Sequence, residues 1–177
     1  MKDPIELLTE EHILISSACE IADRIAKLIG KKDSEYENAA RQLISFFREY
    51  GDAFHHFKEE KILFPEMNKK NELLADGIVK EMMDNHEEFR DMLRGIESFL
   101  NKKDYLRAQQ QLHIYKEVLL DHIAVENDEV FQVAESLFTP AEYEKMFFQF
   151  ADCDAEIGKE KKKKLELLIQ DLDASLK

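Results

Sequence analysis

Two short stretches, His56-Phe57-Lys58-Glu59-Glu60 and His122-Ile123-Ala124-Val125-Glu126, each set a histidine and a glutamate four residues apart. On an α-helix that spacing brings imidazole and carboxylate onto one face, one turn apart. His12 and His86 fall singly on two other predicted helices, so four helices each bring a nitrogen ligand to a common centre. Helical bundles build two-metal sites from inward-projecting ligands of this kind. Imidazole with carboxylate suits iron, manganese or zinc, and two carboxylates can bridge two cations while neutralising part of their charge. One His-x-x-x-Glu pair is a weak signal; two pairs with two spaced histidines are specific.

Neighbouring residues sharpen the choice. His55 precedes His56 and points about 100° away on a regular helix, so only one of them shares the face of Glu60, and His56 is chosen. The same rotation makes Glu59 a solvent or supporting residue unless the helix distorts. His113 lies about half a turn out of phase with His122 and is left off the site. Tyr115 reads as an ordinary core tyrosine.

The elements that must position these groups are long helices. Asp3-Pro4-Ile5-Glu6 is a helix start with Asp3 as N-cap, and apolar residues recur through Leu8 and Ile15, with His12 between them, until Gly30. Ser34 with Glu37 reads as a second capping box, opening a helix that carries Leu43, Phe46, Phe47, His56 and Glu60 and stops at Pro65. Gly51 inside it is read as a slight bend or a close contact. A third helix carries Met82, His86, Phe89 and Leu93 on one stripe, and a fourth carries Leu112, Tyr115, Leu119, His122 and Glu126. Thr139-Pro140-Ala141-Glu142 starts a fifth segment bearing Met146, Phe150, Ile157, Leu165, Leu168 and Leu172, with no histidine and a structural role.

Composition agrees with this reading. The 177 residues are 44% hydrophobic, enough for one core, and 5 Gly with 3 Pro are too few for a sheet protein rich in turns. A net charge of -13 excludes nucleic acid and an anionic membrane surface as partners. Cys19 and Cys153 are read as two small buried side chains, not a redox pair or a zinc site. No stretch of 18 apolar residues exists, and Met1-Lys2-Asp3-Pro4 lacks the apolar core of a signal peptide, so a cytoplasmic protein is expected.

His12, His56-x-x-x-Glu60 followed by Leu63-Phe64-Pro65, His86, and His122-x-x-x-Glu126 followed by Val130-Phe131 together resemble the hemerythrin family, in its branch of HHE cation-binding domains. The resemblance covers roughly residues 5 to 135. It implies an all-α, up-down four-helix bundle over about residues 3–138, extended by a C-terminal helix over about 139–177, in a single domain. It further implies two iron ions, oxo- or hydroxo-bridged, with Glu60 and Glu126 as bridges and His12, His56, His86 and His122 as terminal ligands; manganese and zinc fit the same donors. The family's oxygen carriers use five histidines, two of them four residues apart on the third helix. Here Met82 and Arg90 flank His86, so one histidine is missing and oxygen carriage is less secure than metal binding.

Two functions follow as expectations. One is binding or sensing of a small diatomic ligand, oxygen or nitric oxide, or of iron itself. The other is a di-iron enzyme that reduces peroxide or nitric oxide, or supplies iron for cluster repair. No Gly-x-Gly-x-x-Gly follows a strand, so its electrons would come from a redox partner protein.

Overall fold

The computed structural model describes residues 3–176, and among them all regular structure is helical. Helix α1 (Pro4–Ile25) is capped as expected, the Ile5 N–H donating to Asp3 Oδ1 at 2.8 Å. A short tight turn, Ala26–Leu28, leads to Gly30, whose φ of +76° lets the chain reverse. Helix α2 (Asp33–Phe46) continues without a break through wide turns at Phe47–His56 and Glu59–Leu63 into α3 (Phe64–Lys70). Together these form the second rod of the bundle. Helices α4 (Ile78–Asn101) and α5 (Tyr105–Val125) are the third rod and most of the fourth. The fourth rod runs on through a wide turn at Glu126–Val130 into α6 (Phe131–Leu137).

Three local expectations change. The second rod does not stop at Pro65, because Pro65 sits in the first turn of α3, where its missing N–H costs no helical bond. Ser34 is not an N-cap: the helix begins at Asp33, and Glu37 is instead held by Arg41, Lys103 and Tyr105. A Cβ on Gly51 would meet nothing within 4 Å, so Gly51 marks no close approach.

The C-terminal segment, expected as one helix, is a hairpin of two. Helix α7 (Pro140–Ile157) starts with the expected capping box of Thr139 and Glu142. Gly158, at φ +90°, then turns the chain into α8 (Lys159–Ser175). The side chain of Ile157 lies outside what the structure describes. Among the described residues no helix is long and apolar enough to cross a membrane.

The core is split in two. Ile15, Leu43, Phe47, Phe89 and Leu112 belong to one apolar cluster, which α8 covers with Leu165, Ile169 and Leu172. Leu8, Leu63, Met82, Val130 and Phe131 belong to the other, which α7 covers with Met146 and Phe150. Between the two lies a buried polar layer: Glu11, His12, His55, His56, Lys58, Glu59, His86, His122 and Glu126 are each less than 5% exposed. Burying so many polar groups is costly unless they are paired or bind a cation, and the two apolar ends supply the packing that offsets it.

Candidate metal centre

The histidines of the second rod owe their orientation to the wide turns. There the Phe57 N–H reaches the Asp52 carbonyl and the Phe64 N–H reaches the Glu59 carbonyl, each five residues back. Turns of this kind recur as local bulges at functional sites. Spreading each turn over more residues narrows the angle between successive side chains, so His55 and His56, 1% and 4% exposed, both point inward. Glu59 is fully buried with them, which corrects the reading of Glu59 as a solvent or supporting residue. A third wide turn follows Glu126, where the Phe131 N–H reaches back to the Glu126 carbonyl.

Two groups of ligand-bearing side chains result: His12, His55, Glu59 and Glu126 in one, and His56, His86 and His122 in the other. The two glutamates lie between the histidines of both. Glu126 turns Oε2 to His12 Nε2 at 3.2 Å and Oε1 to His122 Nε2 at 3.3 Å. Glu59 turns Oε1 to His55 Nε2 at 3.4 Å and Oε2 to His86 Nε2 at 3.7 Å. Each carboxylate thus divides its oxygens between a two-histidine side and a three-histidine side. Both oxygens of both glutamates, with His12 Nε2 and His55 Nε2, are buried and make no protein hydrogen bond. Buried polar atoms are rarely left so, and metal ions would satisfy this donor set.

Compared with known protein families, residues 3–134 match the hemerythrin HHE cation-binding domain. The chain belongs to this family. Neither curated proteins nor solved structures give a match to it. The matched region ends before α7, so every group of the hemerythrin-like centre lies inside it and the C-terminal hairpin lies outside.

The hemerythrin-like centre gathers five imidazoles, from His12, His55, His56, His86 and His122. The histidine absent from the third rod is made up by the second, where the doubled His55-His56 supplies two rings. His56 stacks on His86, with centroids 3.7 Å apart and planes 10° from parallel. Of the six residues expected from sequence, five are brought together here. Glu60 is not among them: its Oε1 accepts from His86 Nδ1 at 2.9 Å and from Arg90 Nη2 at 2.6 Å, away from both ligand groups. Glu59 takes its place and His55 joins the centre with it, at the same four-residue spacing one step earlier in the chain.

Outer partners fix the rings. His12 Nδ1 donates to Asn127 Oδ1, His55 Nδ1 to Glu11 Oε2 and His86 Nδ1 to Glu60 Oε1, each at 2.9 Å. A proton held at Nδ1 leaves Nε2 as a lone pair facing the centre, as a metal-ligating imidazole requires. His56 Nδ1 faces Asp52 Oδ1 at 3.4 Å. Arg90 grips Asp52 and Glu60 together, so one guanidinium anchors the carboxylates beside two of the rings. Arg90 is thereby a supporting residue of the site and not a free surface arginine.

Electrostatics follow burial and contact. Burial pushes the Glu59 carboxyl well above its ordinary value, and the charge of Glu126 adds to the push. Burial also acts on Glu126, but the imidazoles of His122 and His12 outweigh it and hold that group ionised. Burial drives the His56 imidazolium down to about 3, aided by His86. Glu60 is pushed up by burial but held at about 2 by its hydrogen bonds from His86 and Arg90. Burial likewise lowers His55 and His86, so these rings with His56 favour the neutral form beside an ionised Glu126, the form in which imidazole binds a cation.

Proposed function

We propose that this protein is a cytoplasmic non-haem di-iron protein that binds or senses a small ligand, oxygen or nitric oxide, or iron itself. The observation that carries the reading is the division of Glu59 and Glu126 between the two histidine groups. Glu59 and Glu126 would bridge, His12 and His55 would serve one ion, and His56, His86 and His122 the other. Bound iron would supply a redox-active Lewis acid.

The chain's own residues do the rest. Two histidines would hold one ion and three the other, which makes the two sides unequal. Phe131 stacks on His12 with centroids 5.4 Å apart, helping to keep bulk water from the two-histidine side. Asn127, Glu11 and Glu60 hold protons at Nδ1 of their rings and keep each Nε2 free to bind.

A second reading, a di-iron enzyme reducing peroxide or nitric oxide with electrons from a redox partner, is favoured by a different feature. A cavity of about 400 Å³ opens on His56 between Phe47, Phe89, Leu93 and Tyr115, with Arg90 at its edge. That is ample space for a small substrate.

Metal analysis and visible spectra of protein from iron-supplemented cells test the proposal. Two irons per chain, with absorption that changes on reduction and recovers in air, are expected. One zinc per chain, or no metal, would overturn it. Sustained turnover with a reductase system would favour the enzyme, and a single stoichiometric reaction the binding protein.

A further inference from the structure

Glu11 is one residue from His12 and holds the neighbouring ring of His55, whose centroid lies 4.6 Å from that of His12. It is 3% exposed, and so is a poor place for a carboxylate without counter-charges. Its first counter-charge is Lys58, 1% exposed, whose Nζ donates to Glu11 Oε1 and lies 3.7 Å from the centroid of the Phe54 ring. The remaining charges come from the C-terminal hairpin. Asp154, near the end of α7, reaches Lys58 Nζ at 3.1 Å. Lys162, in the first turns of α8, lies 3.7 Å from Glu11 Oε1 and 3.5 Å from Asp154 Oδ2. Two carboxylates and two ammonium groups thus form a neutral quartet, half of it outside the family domain.

The hairpin is built to put them there. Helix α7 covers one apolar cluster and α8 the other, so the turn at Gly158 falls at the level of the polar layer between them. Phe150 of α7 also backs Lys58, 5.8 Å from its Nζ.

We propose that the C-terminal hairpin is an outer support of the metal centre, in which Asp154 and Lys162 complete, with Lys58, the charge quartet that holds Glu11 against His55. Asp154 and Lys58 are positioning residues. Without the Asp154 charge, Lys58 would lean wholly on Glu11, drawing its carboxylate from His55 and leaving an extra positive charge beside the cations. Supporting contacts of this kind are typically worth about 10–100-fold in metal affinity, and one step further out the effect should fall below that range, to about three- to tenfold.

The inference rests on His55 being a ligand, and its test separates the two ideas. Parent protein, Asp154→Asn and Glu142→Gln are compared; the last removes the Lys70–Glu142 ion pair at the start of α7, where a Gln can still close the capping box, without touching the quartet. Ring ¹⁵N shifts of His55 in metal-free protein report the Nδ1 hydrogen bond directly. They should change in Asp154→Asn and remain as in the parent in Glu142→Gln. Cobalt(II) titration of the same proteins should show about three- to tenfold weaker binding, with an altered ligand-field spectrum, only in Asp154→Asn. Unchanged His55 shifts in Asp154→Asn, or equal changes in Glu142→Gln, would overturn the inference. Parent protein that takes up fewer than two cobalt ions would instead count against the two-metal reading, while the His55 shifts would still decide the role of the hairpin.

Discussion

The segments around His122 and His55 carry the same chemistry, yet only one of them is unambiguous. On the fourth rod a single histidine and a single glutamate stand four apart, and both point where the spacing says. On the second rod both residues are doubled, His55-His56 and Glu59-Glu60, so two pairings have identical spacing. The structure uses all four residues differently. His55 joins the two-histidine side, Glu59 lies between the two sides, His56 joins the three-histidine side, and Glu60 steps out to hold His86. A doubled motif therefore spreads one helix over two groups of ligand-bearing side chains and one supporting position, provided that the backbone widens.

The sharpest test of this difference is to neutralise the glutamates one at a time. Glu59→Ala and Glu126→Ala should each lose the paired-metal state, while Glu60→Gln should keep two metals with affinity lowered by about 10-fold. Metal content after dialysis distinguishes them, and loss of the pair in Glu60→Gln alone would reverse the assignment of the bridge.

The histidines offer the next largest effect. His55→Ala should lower metal content, whereas His113→Ala, exposed and beside Asp23, should leave it unchanged. Equal metal content in both variants would remove His55 from the centre.

Arg90→Met should act through the rings it supports. Freed from the guanidinium, Asp52 and Glu60 would let His56 and His86 rotate, and about 1–3 kcal/mol of stability should go with the charged hydrogen bonds. Denaturant unfolding with a parallel metal titration measures both; a loss of stability alone would mean that Arg90 only ties rods together.

Metal-free Glu59→Gln should melt higher than metal-free parent by about 1 kcal/mol in stability, because it relieves a buried carboxyl whose ionisation burial opposes. Holo protein should show the opposite order. Scanning calorimetry with and without chelator reads both.

The smallest effect is expected far from the centre. Hydrogen bonds from Lys103, then Tyr105 and Arg41, hold Glu37 at about 2. A depressed carboxylate stabilises the fold above its unfolded value and loses that contribution as pH falls toward about 2. Glu37→Gln should therefore reduce stability slightly at neutral pH, with the difference from the parent vanishing in acid. Glu37's partners Lys103 and Arg41 are largely exposed and screened by solvent, so the difference should stay within a few tenths of a kcal/mol.

The sequence by itself determined the all-α architecture, since Leu8, Ile15, Met82, Phe89, Leu93, Leu112 and Leu119 repeat at helical spacing and now line the core. It also determined four ligand candidates, because each of His12, His86, His122 and Glu126 is fixed by the stripe on either side of it, and it reached His56 by a choice between two adjacent rings. What only the tertiary structure decided is the register of the second rod. Counting forward from Leu43, Phe47, Tyr50 and Phe54 leads to Lys58, while counting back from Met67 and Leu63 leads to Glu59. The two stripes meet one residue out of step, and a regular helix cannot satisfy both. Packing of Phe54 in one apolar cluster and Leu63 in the other fixes the two ends, so the backbone between them widens to take up the difference. The tie between Asp154 and Lys58 was equally out of reach, because no periodicity in the chain foretells which buried lysine a distant helix will meet.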